Sequence, residues 1–297
     1  MHDTPTIPPA APTCAVVVYA PGARRSTGFW RSLAVMGVNI YRSRELIRQL
    51  FIRDYLAVHK KSFLGFAWIM LSPVVAALSW FFMNAAGVLK PATPDAVPYP
   101  VYVLLGTTLW GLFIGFYQSA TQTLTTAQGY ILQIRYPHEA LLVKQALEQV
   151  VNFAAALGVN LVAFLWFGVR PHWMILLLPL TTLPLFFLGA GLGLIIAVLG
   201  VVATEFRRLC EVGLGLMLFI TPVLYTPAAL ALSPRAQTVL HWNPLTHLIE
   251  AARSTLLNGT LPDPLAFALS ALFALAVFLV AWRLFYVSEH RVIEKLF

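Results

Sequence analysis

The sequence predicts an all-α integral membrane protein: six transmembrane helices preceded by an amphipathic interfacial helix, with a re-entrant helical segment between spans five and six. Three observations predict it. Of 297 residues, 59% are hydrophobic and only 11% charged, with a mean hydropathy of +0.76. A soluble domain carries roughly 25% charged residues, so this chain lacks the charge to cover a water-facing surface. Six apolar runs reach the ~20 residues that a helix needs to cross a bilayer core of ~30 Å. Finally, the Lys and Arg residues gather on one side of those runs.

The elements follow in order. Residues 1–28, rich in Pro, Ala and Thr, read as a flexible cytosolic arm. Its run "CAVVVYA" is too short to span, and no basic region precedes it as a signal peptide requires. Residues 29–62 form the amphipathic interfacial region. In "SRELIRQLFIRDYLAVHKKSFLGFAW", Leu46, Ile47, Leu50, Phe51, Tyr55 and Val58 recur at three- and four-residue steps. Arg44, Arg48, Arg53, Lys60 and Lys61 fall mostly between them. This is a helix starting near Ser43 on the inner membrane surface, its basic residues toward lipid phosphates. It is either an anchor or a lever joined to the first span through Gly65.

The six-span domain, 63–287, divides into spans at about 63–89, 100–124, 141–168, 173–202, 210–230 and 264–287, with a cytosolic tail at 288–297. Pro222 and Pro227 break the end of the fifth span. With the N-terminus inside, sixteen Lys and Arg flank the inner ends, against Lys90, Arg170, Arg235 and Arg253 outside. The positive-inside rule then puts both termini in the cytoplasm. Topology accounts for the net charge of +8, and nucleic acid is not needed as a partner. A charge at mid-membrane costs about 2.5–3.5 kcal/mol on insertion scales. Glu148 and Asn152 in the third span are the main polar intruders, with Glu211 near the start of the fifth. Glu148 lies close enough to the cytoplasmic end to reach the interface.

Between two greasy runs stands "LQIRYPHEALLVKQ", residues 132–145. His138-Glu139 starts an H-E-x-x-H zinc motif, but the second His position holds Leu142, so the metal reading fails. A His–Glu pair with no nucleophile nearby does not make a catalytic site. Pro137 suits a first helical position, and Glu139 in the first turn suits the helix dipole. The segment is either an ordinary turn or a short helix that shows its charge to water and docks on another protein. "ATEFRRLCE" (203–211) has the same compact charged character. Cys14 and Cys210 form no C-x-x-C pair, so neither disulfide nor zinc frameworks are supported.

"GAGLGL" (189–194) places Gly189, Gly191 and Gly193 inside an apolar run with no strand before it. Close helix packing explains it better than nucleotide binding. No G-x-x-x-x-G-K-[ST] loop occurs in the sequence, so ATP-driven work requires a separate subunit. Residues 221–263 form the largest outside segment. Asn243-Pro244 marks a turn before a helix at 245–257, whose apolar face carries Leu245, Leu248, Ile249, Ala252 and Leu256. Non-helical backbone at membrane depth survives only inside protein or beside water, which points to a pore mouth. His241, His247 and Glu250 fall short of a metal-ligand set, and Asn258-Gly259-Thr260 is a chance-level sequon. Aromatics such as Phe63, Phe66, Trp68, Trp110, Phe116 and Tyr117 are either packing or stacking faces for sugar rings.

Together "RELIRQLFIRDYLAVHKKSFLGFAWIMLSP", "YPVYVLLGTTLWGLFIGFYQSATQTL", "YPHEALLVKQ" and "WNPLTHLIEAARSTLLNG" are distinctive. From about residue 43 to 290 the chain resembles the membrane subunit of ATP-binding-cassette polysaccharide exporters, the group that exports O-antigen, teichoic acid and capsule. The resemblance implies a homodimer in the bacterial inner membrane with two cytosolic ATPases. Those partners bind ATP and Mg, and no cofactor is expected in this chain. It implies a coupling helix around Arg135, Tyr136, Pro137, His138 and Glu139, joined at the ATPase by the Glu205, Arg207 and Arg208 loop. Arg44, Arg48, Arg53, Lys60 and Lys61 would meet a lipid-linked polysaccharide where it enters, among membrane lipids. The first and fifth spans would line the channel, with Phe63, Phe66, Trp68, Trp110, Phe116 and Tyr117 as lining residues. Pro222, Tyr225, Trp242, Asn243 and His247 would form the outer gate. O-antigen is favoured over capsule by wording alone. The rivals are a proton-coupled flippase, which would need Glu148, and an intramembrane glycosyl- or acyltransferase, which would need His241, His247 and Glu250.

Overall fold

A computed structural model describes residues 28–60, 67–87, 97–131, 138–200, 203–226 and 233–296. Among them every regular element is a helix. The helices are α1 (Phe29–Arg42), α2 (Arg44–Lys60), α3 (Ala67–Ala85), α4 (Tyr99–Ile131), α5 (His138–Phe167), α6 (Leu178–Leu199), α7 (Thr204–Ile220), α8 (Pro234–Trp242), α9 (Pro244–Leu257) and α10 (Pro264–Leu296). A 3₁₀ turn, Trp173–Leu177, leads into α6.

Among the described residues four helical segments are long and apolar enough to cross a membrane: Tyr99–Thr123, Glu139–Phe167, Trp173–Leu199 and Pro264–Ser288. The apolar stretch Ala67–Met83 is shorter, and α7 stops after 17 residues, at Ile220. The expected fifth span therefore ends about three turns early, because Pro222 removes a backbone donor just beyond it. At the other end, α10 runs on through Leu296, where a tail was expected from 288. The interfacial region is two helices rather than one. They meet at Ser43, whose N–H bonds back to the Asn39 and Ile40 carbonyls. α1 went unpredicted; it turns Ser32 and Met36 inward and packs on α5 and α10.

The four spans differ in what surrounds them. α6 is the central post, packed by α4, α9 and α10. It is apolar all round, as a helix enclosed by others must be. The Gly stripe lets its neighbours close in, as expected. A Cβ at Gly189 would lie 2.5 Å from the Phe113 carbonyl, and one at Gly191 would lie 3.0 Å from the Phe278 backbone. α5 lies at the rim, with Val162, Leu165 and Trp166 exposed, as a lipid-facing helix needs. The core runs through Val101, Leu105, Leu109 and Phe113 of α4, Leu185 of α6, and Leu248, Ile249 and Ala252 of α9.

Candidate functional site

Two polar junctions stand at opposite ends of this bundle. At the first, α7 stops and residues 221–226 run on without a helix between α4 and the α8–α9 pair. Asn243 joins α8 to α9. Its Oδ1 accepts from the Leu245 N–H (3.0 Å), which caps α9 ahead of Pro244. Its Nδ2 donates to Thr221 Oγ1 (2.9 Å). The backbone beyond Thr221 is held by Arg253, which is only 4% exposed. One guanidinium nitrogen donates to the Pro222 carbonyl (2.9 Å) and to the Tyr102 hydroxyl. The other donates to the Val223 carbonyl (2.9 Å), and the guanidinium carbon lies 3.9 Å from the Tyr102 ring centroid. Tyr102 in turn donates to the Tyr225 carbonyl (3.0 Å). The Tyr225 hydroxyl donates to the Phe219 and Ile220 carbonyls (3.1 and 3.0 Å). Gly106 on α4 makes room, since a Cβ there would run into Arg253 and the Val223 carbonyl.

Of the residues expected at an outer gate, Pro222, Tyr225 and Asn243 converge here. Trp242 does not; it is 81% exposed. His247 Nε2 sits 2.8 Å from the His241 carbonyl, so its ring is engaged with backbone. Among the described residues no group of three His, Cys, Asp or Glu is placed to hold a metal ion. Sequence reading placed Arg253 in an outside loop and missed its role. A signal existed: Arg253 follows Ile249 by four residues, on the apolar face of its helix, beside a span broken by Pro222.

At the opposite end, α2 meets α5 through charge. Lys144 Nζ lies 3.0 Å from Asp54 Oδ2 and 2.9 Å from Glu148 Oε1. Arg53 Nε lies 2.9 Å from Asp54 Oδ1. One turn along, the Tyr55 hydroxyl donates to Asn152 Oδ1 (3.4 Å). Burial, and then the Glu148 carboxylate, push the Tyr55 phenol above its ordinary value and keep it a donor. Glu148 is thus an ion-pair partner and not a lone intruder. Arg44 and Arg48 stay exposed, Arg44 over the Tyr41 ring and Arg48 3.7 Å from Glu45.

Arg135, Tyr136 and Pro137 lie outside the described residues, as do Lys61, Phe63 and Phe66, and Lys60 ends α2. His138 opens α5. Glu139 corrects an expectation. It was read as charge shown to water, but it is 0% exposed in the chain, with Ala140 and Leu141 equally buried. The first turn of α5 packs inward, so its carboxylate is a structural group beside the helix N-terminus. Glu205 and Arg208 are exposed on α7, and Arg207 Nε pairs with Glu211 Oε1 at 3.0 Å.

The expected lining aromatics also divide. Trp68 stands half-exposed on α3. Trp110 and Tyr117 face α7 across a cavity of about 210 Å³ with Gln118, Glu211 and Leu214. Phe116 is core: it points the other way, edge-on to Phe186 with ring centroids 4.8 Å apart. On α7, Leu209, Val212, Leu216 and Phe219 remain exposed.

These features define a polytopic helical membrane protein with an Arg-centred and a Lys-centred network at two of its helix junctions. Residues 45–257 match the family described as ABC-2 type transporter, and the chain belongs to that family. It is 25% identical over 252 residues to the O-antigen export system permease protein RfbA of Myxococcus xanthus, covering 85% of this chain and 94% of that protein. It is 22% identical over 213 residues to the protein of that name in Klebsiella pneumoniae, covering 70% and 79% respectively. Against the polysialic acid transport protein KpsM of Escherichia coli it is 22% identical over 250 residues, covering 84% and 95%.

Proposed function

We propose that the chain is the channel-forming membrane subunit of an ATP-driven exporter of a lipid-linked polysaccharide, O-antigen in first place, with capsule or teichoic acid as the variants. The observation that carries this is the nearly end-to-end match to an O-antigen export permease. The absence of a phosphate-binding loop from the sequence agrees with it. ATP and Mg then belong to a cytosolic ATPase, present in two copies, and this subunit is no enzyme.

In this reading the subunit crosses the inner membrane six times with both termini in the cytoplasm, α3 and α7 supplying the two shorter spans. The exposed apolar face of α7 meets a second copy, and Trp110 and Tyr117 flank the channel. The fixed junction around Arg253, Asn243 and Tyr225 frames the outer gate. The segment Arg135–His138 and the exposed Glu205 and Arg208 dock on the ATPase. Arg44, Arg48 and Arg53 meet the charged head of the lipid carrier at the inner surface.

Co-purification with the ATPase tests the docking surface. Arg135→Glu and Arg208→Glu are expected to weaken the complex while leaving the subunit's thermal midpoint unchanged. A complex indifferent to both charge reversals would move the docking surface elsewhere.

A further inference from the structure

Between α2, α3, α4 and α5 lies a cavity of about 590 Å³, within the ~300–1,000 Å³ of ligand pockets. It sits among membrane-spanning helices, and polar groups interrupt its largely apolar walls. Ser72, Thr107, Thr108, Gln149 and Asn152 bring hydroxyls and amides to it, and Tyr55 and Glu148 border it. Much of this chemistry is already oriented. The Thr107 hydroxyl donates to the Val103 and Leu104 carbonyls (2.8 and 3.1 Å), which leaves its oxygen as an acceptor. Asn152 spends Oδ1 on Tyr55, which leaves its amide N–H groups as donors.

At this depth the hydroxyls and amides on its wall need water or a hydrogen-bonding ligand, while the apolar remainder suits a ring face. Among the described residues no Lys or Arg lines the cavity. The one carboxylate on it, Glu148, is held by Lys144. These described residues offer a phosphate no counter-charge, whereas they offer a neutral ring bearing hydroxyls donors, acceptors and the rings of Trp68 and Phe153. The space is also kept clear: a Cβ at Gly111, on its wall, would meet nothing within 4 Å.

We propose that this cavity binds one hydroxyl-rich sugar ring of a lipid-borne glycan, within a single subunit and apart from the channel-facing aromatics. The assignment rests on the export reading. The carrier's charged diphosphate stays outside, at the α2 surface.

The test uses the full chain in lipid nanodiscs, with Cys14→Ser and Cys210→Ser as background. Ile69→Cys, on the cavity wall, is alkylated by a maleimide. The probes are undecaprenyl diphosphate carrying one N-acetylhexosamine, and undecaprenyl diphosphate alone. The glycosylated probe should slow alkylation and the bare one should not. Equal slowing by both, or by neither, overturns the site. Separately, Gly111→Leu fills the space from an open position. It should keep the thermal midpoint and weaken the glycosylated probe's protection by roughly tenfold, the factor that losing one or two hydrogen bonds carries. Unchanged protection would overturn the assignment. ATPase plays no part in this binding. Export without protection would therefore remove the site and spare the transporter, and protection without export would do the reverse.

Discussion

The two polar ends of the bundle solve opposite problems. Around Arg253, carbonyls set free by the Pro222 break receive donors from one buried guanidinium, backed by Tyr102, Tyr225 and Asn243. Such hydrogen bonds lie out of water, and removing the cation leaves acceptors with no substitute. At the α2–α5 end, Lys144 shares itself between Asp54 and Glu148, whose side chains are 18% and 22% exposed. Lys144 is itself only 6% exposed, but its two carboxylates reach water, which can take its place on them. The first junction is built to hold its shape. The second can be remade if α2 shifts against α5.

Breaking each end separately should expose the difference. Arg253→Leu is expected to lower stability by about 3–5 kcal/mol, because the two buried carbonyls it serves lose their donor at about 1–3 kcal/mol each. The drop would appear as a lower thermal midpoint in detergent. Arg253→Lys should recover only part of it, because an ammonium cannot reproduce the planar fork. Gly193→Leu, away from both ends, should cost about 1–3 kcal/mol by overpacking, since its side chain would run into Ala120 and the Tyr117 carbonyl. Lys144→Met should cost about 1–2 kcal/mol, since the two carboxylates keep water. Adding Glu148→Gln to it should recover part of that loss by relieving the remaining repulsion. Arg48→Gln, at an exposed pair, should leave the thermal midpoint unchanged. If Lys144→Met proved as damaging as Arg253→Leu, the contrast between a fixed and a remakeable junction would fail.

Much of the fold was legible where hydrophobicity is the whole message. Apolar runs predicted α4, α5, α6 and α10, the Gly189–Gly193 stripe predicted close packing, and Asn243-Pro244 marked the start of α9. What stayed hidden depends on partners distant in sequence. Arg253 looks like any loop cation until Pro222 is seen beside it, 31 residues away. Lys144 reads as surface charge until α2 delivers Asp54. Phe116 and Tyr117 are neighbours in sequence, yet the turn of α4 sends one to the core and the other toward α7. Glu139 misled because its charge predicted water, while the apolar Ala140 and Leu141 behind it drew the whole turn inward.

The central claim is ATP-driven movement of a lipid-linked glycan. The direct measurement uses vesicles containing this subunit with its ATPase, loaded with lipid-linked glycan on the ATPase side. Appearance of the glycan on the opposite face is followed with an impermeant lectin. The account predicts appearance that requires ATP and persists when a protonophore collapses the proton gradient. Transport that ignores ATP and stops with the protonophore, or glycan that changes chemically without crossing, would contradict it.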